Sequence, residues 1–193
     1  MSAAVKSPGR MTVDQFLNWD PGGGGRWQLL DGEPRAMAPA NRTHGALQGE
    51  LGRLIGNHLR ASASPCSVVV TPGVVPRILA AHNVRVPDLA VTCSGYQREE
   101  STLADPVLIV EILSLSDQAD TWANVWAYTS IPSVREILIL RSDAIAAELL
   151  RRGSDGLWPE HTAAITDGDL VLESISFRVP LREAYATTRL AAR

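Results

Sequence analysis

Two apolar runs near the middle of the chain constrain its fold most. Residues 84–92 and 106–113 are rich in Val, Ile and Leu and are bounded by turn residues, a pattern typical of buried strands. Similar runs at 67–71 and 135–140 predict two further strands, and the segment 116–130 has helical spacing. Strands and a helix in this order predict a mixed β-sheet flanked by helices, in an α/β or α+β domain.

Shorter patterns towards the two ends complete the predicted architecture. They predict a short helix, a hairpin, a long helix and a β-meander, at residues 12–19, 27–37, 43–60 and 144–180. Asp31-Gly32 is the predicted hairpin turn, because this pair accepts the positive backbone dihedrals of a type I′ turn. A last short helix is predicted from Leu181.

The length of the chain favours a single domain. Its 193 residues suffice for one sizeable core and are too few for two ordinary domains. We expect this domain over residues 12–186, with flexible tails at 1–11 and 187–193. No apolar run approaches the roughly 18 residues that span a bilayer. The sequence therefore predicts a cytoplasmic protein that makes no contact with a membrane.

The charged residues and the cysteines narrow the possible chemistry. A net charge of -3 gives no global field that would attract nucleic acid, so contact with DNA requires a local basic patch. Lys6 is the only lysine, and it precedes the predicted domain, so no core lysine is available for catalysis. Cys66 and Cys93 lack the spacing of a metal site and are expected to be free, mostly buried thiols.

Two carboxylates stand in the apolar runs of the predicted sheet. Glu111 interrupts the second run, and Asp88 follows a proline in the first. An ionised group in an apolar core is costly, so Glu111 should have a partner. If the two strands are neighbours, Asp88 and Glu111 can point to the same side and bind a divalent cation such as Mg²⁺. The alternative is a salt bridge from Glu111 to Arg85 or Arg77.

Several segments of the chain, taken in order, resemble one known family. They are WQLLDGEPRAM, a helix beginning at His44, RVPDLAV, DPVLIVEILS, a helix with Asp120 and Tyr128, IPSVREILIL and DLVLESISFRVPLREAYA. Each segment alone is weakly specific. In this order and over nearly the whole chain they resemble the Uma family of proposed restriction endonucleases, within the PD-(D/E)xK nuclease superfamily. The resemblance implies a restriction-endonuclease-like mixed sheet flanked by helices.

The resemblance also implies roles for particular residues. The family's site combines a Pro-Asp, a Glu on the next strand and a lysine on the following helix, within a D-x-x-x-K-x-x-x-Y pattern. Asp88 and Glu111 match the two acids and are implied to hold Mg²⁺, with Mn²⁺ as a substitute; Asp120 and Tyr128 match the flanks of the lysine. The lysine position itself is Asn124, which is neutral and can only form hydrogen bonds with a water or a phosphate oxygen.

Two further family positions lie in the N-terminal third of the chain. His44 matches the family's histidine at the start of the first long helix, where it would contact phosphate or a metal-bound water. The alternative is that His44 caps or packs the helix terminus. Gln28 stands where the family usually has a glutamate before L-x-D-G. Both residues are candidate members of the catalytic site.

The resemblance implies hydrolysis of DNA phosphodiester bonds, expected to be weak or absent because Asn124 replaces the lysine. The alternative function is a non-catalytic protein that retains the nuclease fold and binds nucleic acid or forms homo-oligomers. Trp122 and Trp126 share one face of their predicted helix. They mark either a dimer interface or part of the core, and we expect a homodimer.

Overall fold

The computed structural model describes residues 10–96, 101–114 and 118–191. Within these ranges it contains three α-helices, ten strands and three short 3₁₀ helices. The α-helices are α1 (Val13–Leu17), α2 (Arg42–Ala61) and α3 (Gln118–Tyr128). The strands are β1 (Trp27–Leu30), β2 (Glu33–Ala36), β3 (Ser67–Val70), β4 (Leu89–Thr92), β5 (Pro106–Leu113), β6 (Glu136–Arg141), β7 (Ala147–Arg151), β8 (Ala163–Ile165), β9 (Asp169–Leu172) and β10 (Phe177–Pro180). The 3₁₀ helices are Ala80–His82, Glu173–Ile175 and Leu181–Tyr185.

The central sheet has six strands in the order β3-β4-β5-β6-β7-β8. Strands β5 and β6 are parallel, and the other neighbouring pairs of this sheet are antiparallel. A parallel pair needs a crossover, and α3 provides it. The predicted mixed sheet flanked by helices is therefore confirmed.

Two apolar cores cover the two faces of this sheet. On one face, the apolar side of α2 and the C-terminal segment pack against alternate residues of β4, β5 and β6. On the other face, α3 packs against the intervening residues of these strands. Burial on both faces explains why β5 is an almost continuous apolar run rather than an alternating one.

The N-terminal hairpin forms a separate two-stranded sheet as predicted. Asp31 and Gly32 have φ angles of 51° and 88°, which the predicted Asp-Gly turn requires. The hairpin contacts the rest of the protein through an antiparallel bridge between Leu29 and Val84. This bridge brings the residues before β4 next to β1.

The predicted strand at 84–92 is only partly correct. Its second half is β4, whereas Val84 and Arg85 pair with Leu29 and Val74 in isolated bridges. Pro87 separates the two halves and has no N–H for a sheet hydrogen bond. The predicted β-meander at 144–180 is divided between two sheets, because β7 and β8 extend the central sheet whereas β9 and β10 form a separate antiparallel pair. Within that segment the strand β8 itself was not predicted, since its alanines have low β-propensity.

The prediction of free, mostly buried thiols is wrong. Cys66 and Cys93 form a disulfide, and Cys93 is exposed. Ser67 of β3 pairs with Thr92 of β4, so the two cysteines extend this antiparallel ladder by one position. Directly opposite residues of paired strands have close Cβ atoms, and this places the two sulphur atoms within bonding distance.

Helix α3 presents Asn124 and Tyr128, which share one face of the helix, to the sheet. Asn124 and Tyr128 are buried together with Val125, whereas Trp126 is 48% exposed. Trp122 is partly buried and packs against the core on this side of the sheet. The predicted helix start at 116 lies outside the described residues. None of the helices in the described ranges is long and apolar enough to span a membrane.

Some residues of the predicted tails are packed in the structure. The Met11 N–H donates to the Gly32 carbonyl at 2.7 Å, and both Met11 and Thr188 are buried. Residues 1–9 and 192–193 lie outside the described ranges. The domain limits of 12–186 and the flexible tails remain predictions.

Candidate active site

The register of β4 and β5 places the two candidate metal ligands opposite each other. Leu89 pairs with Val110, and the antiparallel ladder extended by one residue pairs Asp88 with Glu111. Glu111 lies on the α3 side of the sheet, because it is two residues from Ile109. Asp88 precedes β4, and its carboxylate contacts His44 of α2 and the N–H of Ile112. The pair lies at the start of β4, inside the sheet rather than on an edge strand.

Both carboxylate oxygens of Asp88 are held by neighbouring groups. Oδ1 lies 2.7 Å from Nε2 of His44, and Oδ2 accepts a 2.7 Å hydrogen bond from the N–H of Ile112. The Asp88 side chain remains 13% exposed, and that of His44 is 18% exposed. Asp88 therefore has a defined orientation and still reaches solvent.

The first turn of α2 brings His44 to this position. Asn41 caps the helix by accepting a hydrogen bond from the N–H of His44, and Gln48 donates to the main-chain carbonyl of Asp88 at 2.8 Å. His44 and Gln48 are four residues apart and so share one helix face. Sequence analysis did not identify Gln48, although its spacing from His44 is the signal that could have done so.

Glu111 is almost fully buried, with 6% of its surface exposed. The Tyr128 hydroxyl donates to Oε1 of Glu111 at 2.8 Å. Burial raises the pKa of Glu111 well above its usual range, and the negative charge of Asp88 raises it further, against the opposing effect of the Tyr128 hydrogen bond. Burial and the nearby Glu111 also raise the pKa of Tyr128, so this hydroxyl keeps its proton and remains a donor.

Asn124 accepts a hydrogen bond from Arg85. The distance from Nη1 of Arg85 to Oδ1 of Asn124 is 2.8 Å, and each residue is only 8% exposed. Burial lowers the pKa of Arg85. The predicted alternative for Glu111 is not observed, because no ion pair within the described ranges joins it to Arg85 or to the exposed Arg77.

Gln28 lies next to Arg85. The bridge between Leu29 and Val84, extended by one residue, pairs Gln28 with Arg85, so their side chains lie on the same face. Oε1 of Gln28 and Nε of Arg85 are buried and have no hydrogen-bond partner within the described part of the chain. The structure thus places Gln28 and Asn124 beside Arg85. Tyr128, one helical turn after Asn124, contacts Glu111, so these residues and the two acids lie in one region.

The donor set of this region fits a hard divalent cation held by few protein ligands. Asp88 and Glu111 provide two facing carboxylates, and Mg²⁺ commonly takes one or two carboxylates together with waters. Over the described residues, there is no cluster of three or more His, Cys, Asp or Glu side chains able to hold a metal. A cation between the carboxylates would relieve the repulsion that raises the pKa of Glu111.

A cleft of about 490 Å³ lies at the start of α2. Its lining includes Thr43, which precedes His44, and Ser114, which follows β5. Arg42 and Arg189 also line it. Asp143 is a further lining residue, and neither Asp88 nor Glu111 lines the cleft.

The mixed sheet that carries Asp88 and Glu111 has counterparts among known proteins. The profile of the Uma2 family, described as "putative restriction endonuclease", matches residues 13–180. The chain belongs to this family, which confirms the resemblance seen in the sequence.

A solved structure has the same fold. It is described as a "putative nuclease belonging to DUF820" from Anabaena variabilis ATCC 29413, and its TM-score is 0.72 at 16% sequence identity. The match covers 91% of this chain and 98% of that chain. At this identity the likeness establishes the fold. No curated protein matches the chain.

Proposed function

We propose that this protein is a Mg²⁺-dependent endonuclease that hydrolyses DNA phosphodiester bonds at Asp88 and Glu111. The observation that carries the proposal is the proximity of these two carboxylates where β4 begins beside β5, with Asp88 still reaching solvent. Membership of the Uma2 family supports DNA as the substrate.

Hydrogen bonds from neighbouring residues orient the two acids. His44 and the N–H of Ile112 orient Asp88, and Tyr128 orients Glu111. Bound Mg²⁺ would supply Lewis-acid polarisation of the phosphate and charge neutralisation. Because Asn124 carries no charge, the site lacks the ammonium that family members use, and loss of one such electrostatic partner typically costs about a hundredfold to a thousandfold in rate. We therefore propose a weak or inactive nuclease.

Cleavage of supercoiled plasmid and of a labelled duplex oligonucleotide, with Mg²⁺ or Mn²⁺, tests the proposal. Asp88→Asn should reduce any metal-dependent nicking by about a hundredfold or more, because it removes one of two charged ligands. Asp169→Asn is the matched control, since Asp169 is an exposed partner of Arg178 away from the two acids. Nicking that is equal in both variants would contradict the assignment and indicate a contaminating nuclease.

The competing function is a non-catalytic protein that binds nucleic acid with the same fold. It predicts binding of duplex DNA without cleavage at any metal concentration. Isothermal titration with Mg²⁺ separates the two functions, because a retained metal site should give a saturable heat signal in the wild type and not in Asp88→Asn. DNA binding without metal binding would favour the non-catalytic function.

We further propose a homodimer that buries the exposed face of α3. Trp122 and Trp126 lie side by side, with ring centroids 6.4 Å apart, and soluble proteins usually cover such apolar area. Light scattering at tens of micromolar, about the range where weak dimers form, should give twice the chain mass. Trp126→Gln should give the monomer mass, and a monomeric wild type would contradict the proposal.

The cytoplasmic location remains a prediction that cell fractionation would test. The disulfide between Cys66 and Cys93 bears on this question, because such bonds persist mainly in oxidising compartments.

A further inference from the structure

Arg85 is a buried cation that lacks an anionic partner. Only 8% of its surface is exposed, and none of the ion pairs within the described ranges includes it. Nη1 donates to the neutral amide of Asn124, and Nε has no partner within the same ranges. The Asp31 carboxylate acts on this guanidinium electrostatically but forms no ion pair with it, so no described group in contact with Arg85 neutralises its charge.

Such an arrangement is costly unless a ligand compensates it. Removing a charged group from water carries a penalty of several kcal/mol, which proteins usually offset with a counter-charge and full hydrogen bonding. A guanidinium is also suited to bind phosphate through two parallel N–H groups. The unmatched charge and the unpaired Nε of Arg85 both favour an anionic oxygen as the missing partner.

The location of Arg85 relates this anion to the candidate active site. Asn124, its hydrogen-bond partner, is one helical turn from Tyr128, which contacts Glu111. Arg85 is also three residues before Asp88. An anion bound to Arg85 would therefore lie near the two carboxylates.

We propose that Arg85 is the phosphate-binding residue of this site, where its guanidinium donates to an oxygen of the nucleic-acid backbone and supplies the positive charge that Asn124 lacks. The identification of the anion as a DNA phosphate rests on the proposed function. The proposal that Arg85 binds phosphate rests on its unpaired Nε and its uncompensated charge, and it does not require cleavage.

Substitution of Gln28 offers a way to neutralise the charge of Arg85 without removing the arginine. The amide of Gln28 lies opposite Arg85 and is neutral, so it leaves the guanidinium charge uncompensated. Gln28→Glu would place a carboxylate beside the guanidinium. This variant should unfold at a higher temperature than the wild type in phosphate-free buffer, and it should lose phosphate binding although Arg85 is intact.

The first experiment measures thermal unfolding of the full chain in EDTA, with inorganic phosphate added at constant ionic strength. Phosphate should raise the unfolding temperature of the wild type in a saturable manner, because it binds the folded state only. The shift should disappear in Arg85→Met and in Gln28→Glu. It should persist in Arg77→Met, the matched control, because Arg77 is exposed and lies on the same segment.

The second experiment measures binding of a 12-base-pair duplex in EDTA by fluorescence anisotropy. We expect Arg85→Met and Gln28→Glu to weaken binding at least tenfold and Arg77→Met to change it much less. A phosphate shift that survives in both Arg85→Met and Gln28→Glu would overturn the proposal. Duplex binding that is unchanged in both variants would overturn the assignment to nucleic acid.

The outcomes separate this inference from the proposed function. A protein whose phosphate and duplex binding depend on Arg85, but which cuts no DNA, would support the inference and contradict the nuclease proposal. A protein that cuts DNA through Asp88, with phosphate binding unchanged in Arg85→Met, would contradict the inference alone. If Arg85→Met does not fold, Gln28→Glu decides, since it retains the arginine.

Discussion

Replacing Glu111 with glutamine removes a charge that the fold accommodates poorly. The carboxyl is buried against α3, faces Asp88 and has a raised pKa. Glutamine has nearly the same shape, and its amide oxygen still accepts the hydrogen bond from Tyr128. The substitution therefore changes the charge and little else.

The pH dependence follows from the direction of the pKa shift. As pH rises past the ordinary pKa of glutamate, the unfolded chain releases the proton while folded Glu111 keeps it, so the free energy of unfolding falls until the pH passes the raised pKa. Glu111→Gln removes this loss. We expect the variant to match the wild type near pH 4 and to exceed it at pH 8.

Replacement of buried charges by neutral groups commonly stabilises proteins by about 1–4 kcal/mol, and we expect about 2 kcal/mol here at pH 8. For a chain of this size that corresponds to a rise of about 4–8 °C in unfolding temperature. Differential scanning calorimetry in EDTA from pH 4 to pH 8 measures it. Saturating Mg²⁺ should stabilise the wild type more than the variant and so reduce the difference.

Glu136→Gln is the control, and it should change the free energy of unfolding in the opposite direction. Glu136 is equally buried but accepts hydrogen bonds from Arg151 and from the N–H groups of Glu173 and Ser174. Its replacement should destabilise the protein by about 1–3 kcal/mol. If Glu111→Gln instead lowers stability at pH 8 as Glu136→Gln does, the reasoning about an uncompensated carboxylate is refuted.

Three further predictions concern the surroundings of the site. Asn124→Lys should lower the free energy of unfolding, as measured by urea denaturation, by about 2–4 kcal/mol, because it buries an ammonium against Arg85. Adding Arg85→Met should recover most of this loss. Tyr128→Phe should cost about 1–3 kcal/mol in the same assay, since Oε1 of Glu111 loses its donor, and an unchanged midpoint would contradict that contact. Reduction of the Cys66–Cys93 disulfide, which closes a 27-residue separation, should cost about 3–4 kcal/mol and lower the unfolding temperature by about 10 °C, whereas Cys66→Ser should not respond to reductant.

Features encoded by local pattern could be predicted from the sequence. The Asp31-Gly32 turn, the capped first helix and strand β5 follow from a few neighbouring residues each, and all are present in the structure. Glu111 in β5 could also be recognised from the sequence, because a carboxylate in an apolar strand requires a compensating partner. The sequence therefore predicted the fold class and the two candidate acids.

Features that depend on the register between strands could not be predicted. The spacing of Cys66 and Cys93 indicates a bond only once β3 is known to pair with β4 at Ser67 and Thr92. The spacing of four residues likewise places Asn124 and Tyr128 on one helix face, but it does not show that this face packs against the sheet. Arg85 could be proposed as a cation from its position in the chain, whereas its lack of a counter-ion depends on every neighbour.

The separate sheet of the N-terminal hairpin has a consequence for local unfolding. Gln28 belongs to a small unit held by the Leu29–Val84 bridge, a minor apolar cluster and hydrogen bonds of its turn to His82 and Asn83, while Glu111 lies inside the six-stranded sheet. Small units of this kind open at a lower free energy than a central sheet. The amide of Leu29 should therefore exchange its hydrogen with solvent sooner than that of Val110. We expect the hairpin to detach and rejoin while the two acids stay together, and each opening would uncover Arg85, which lies opposite Gln28, and leave the core intact.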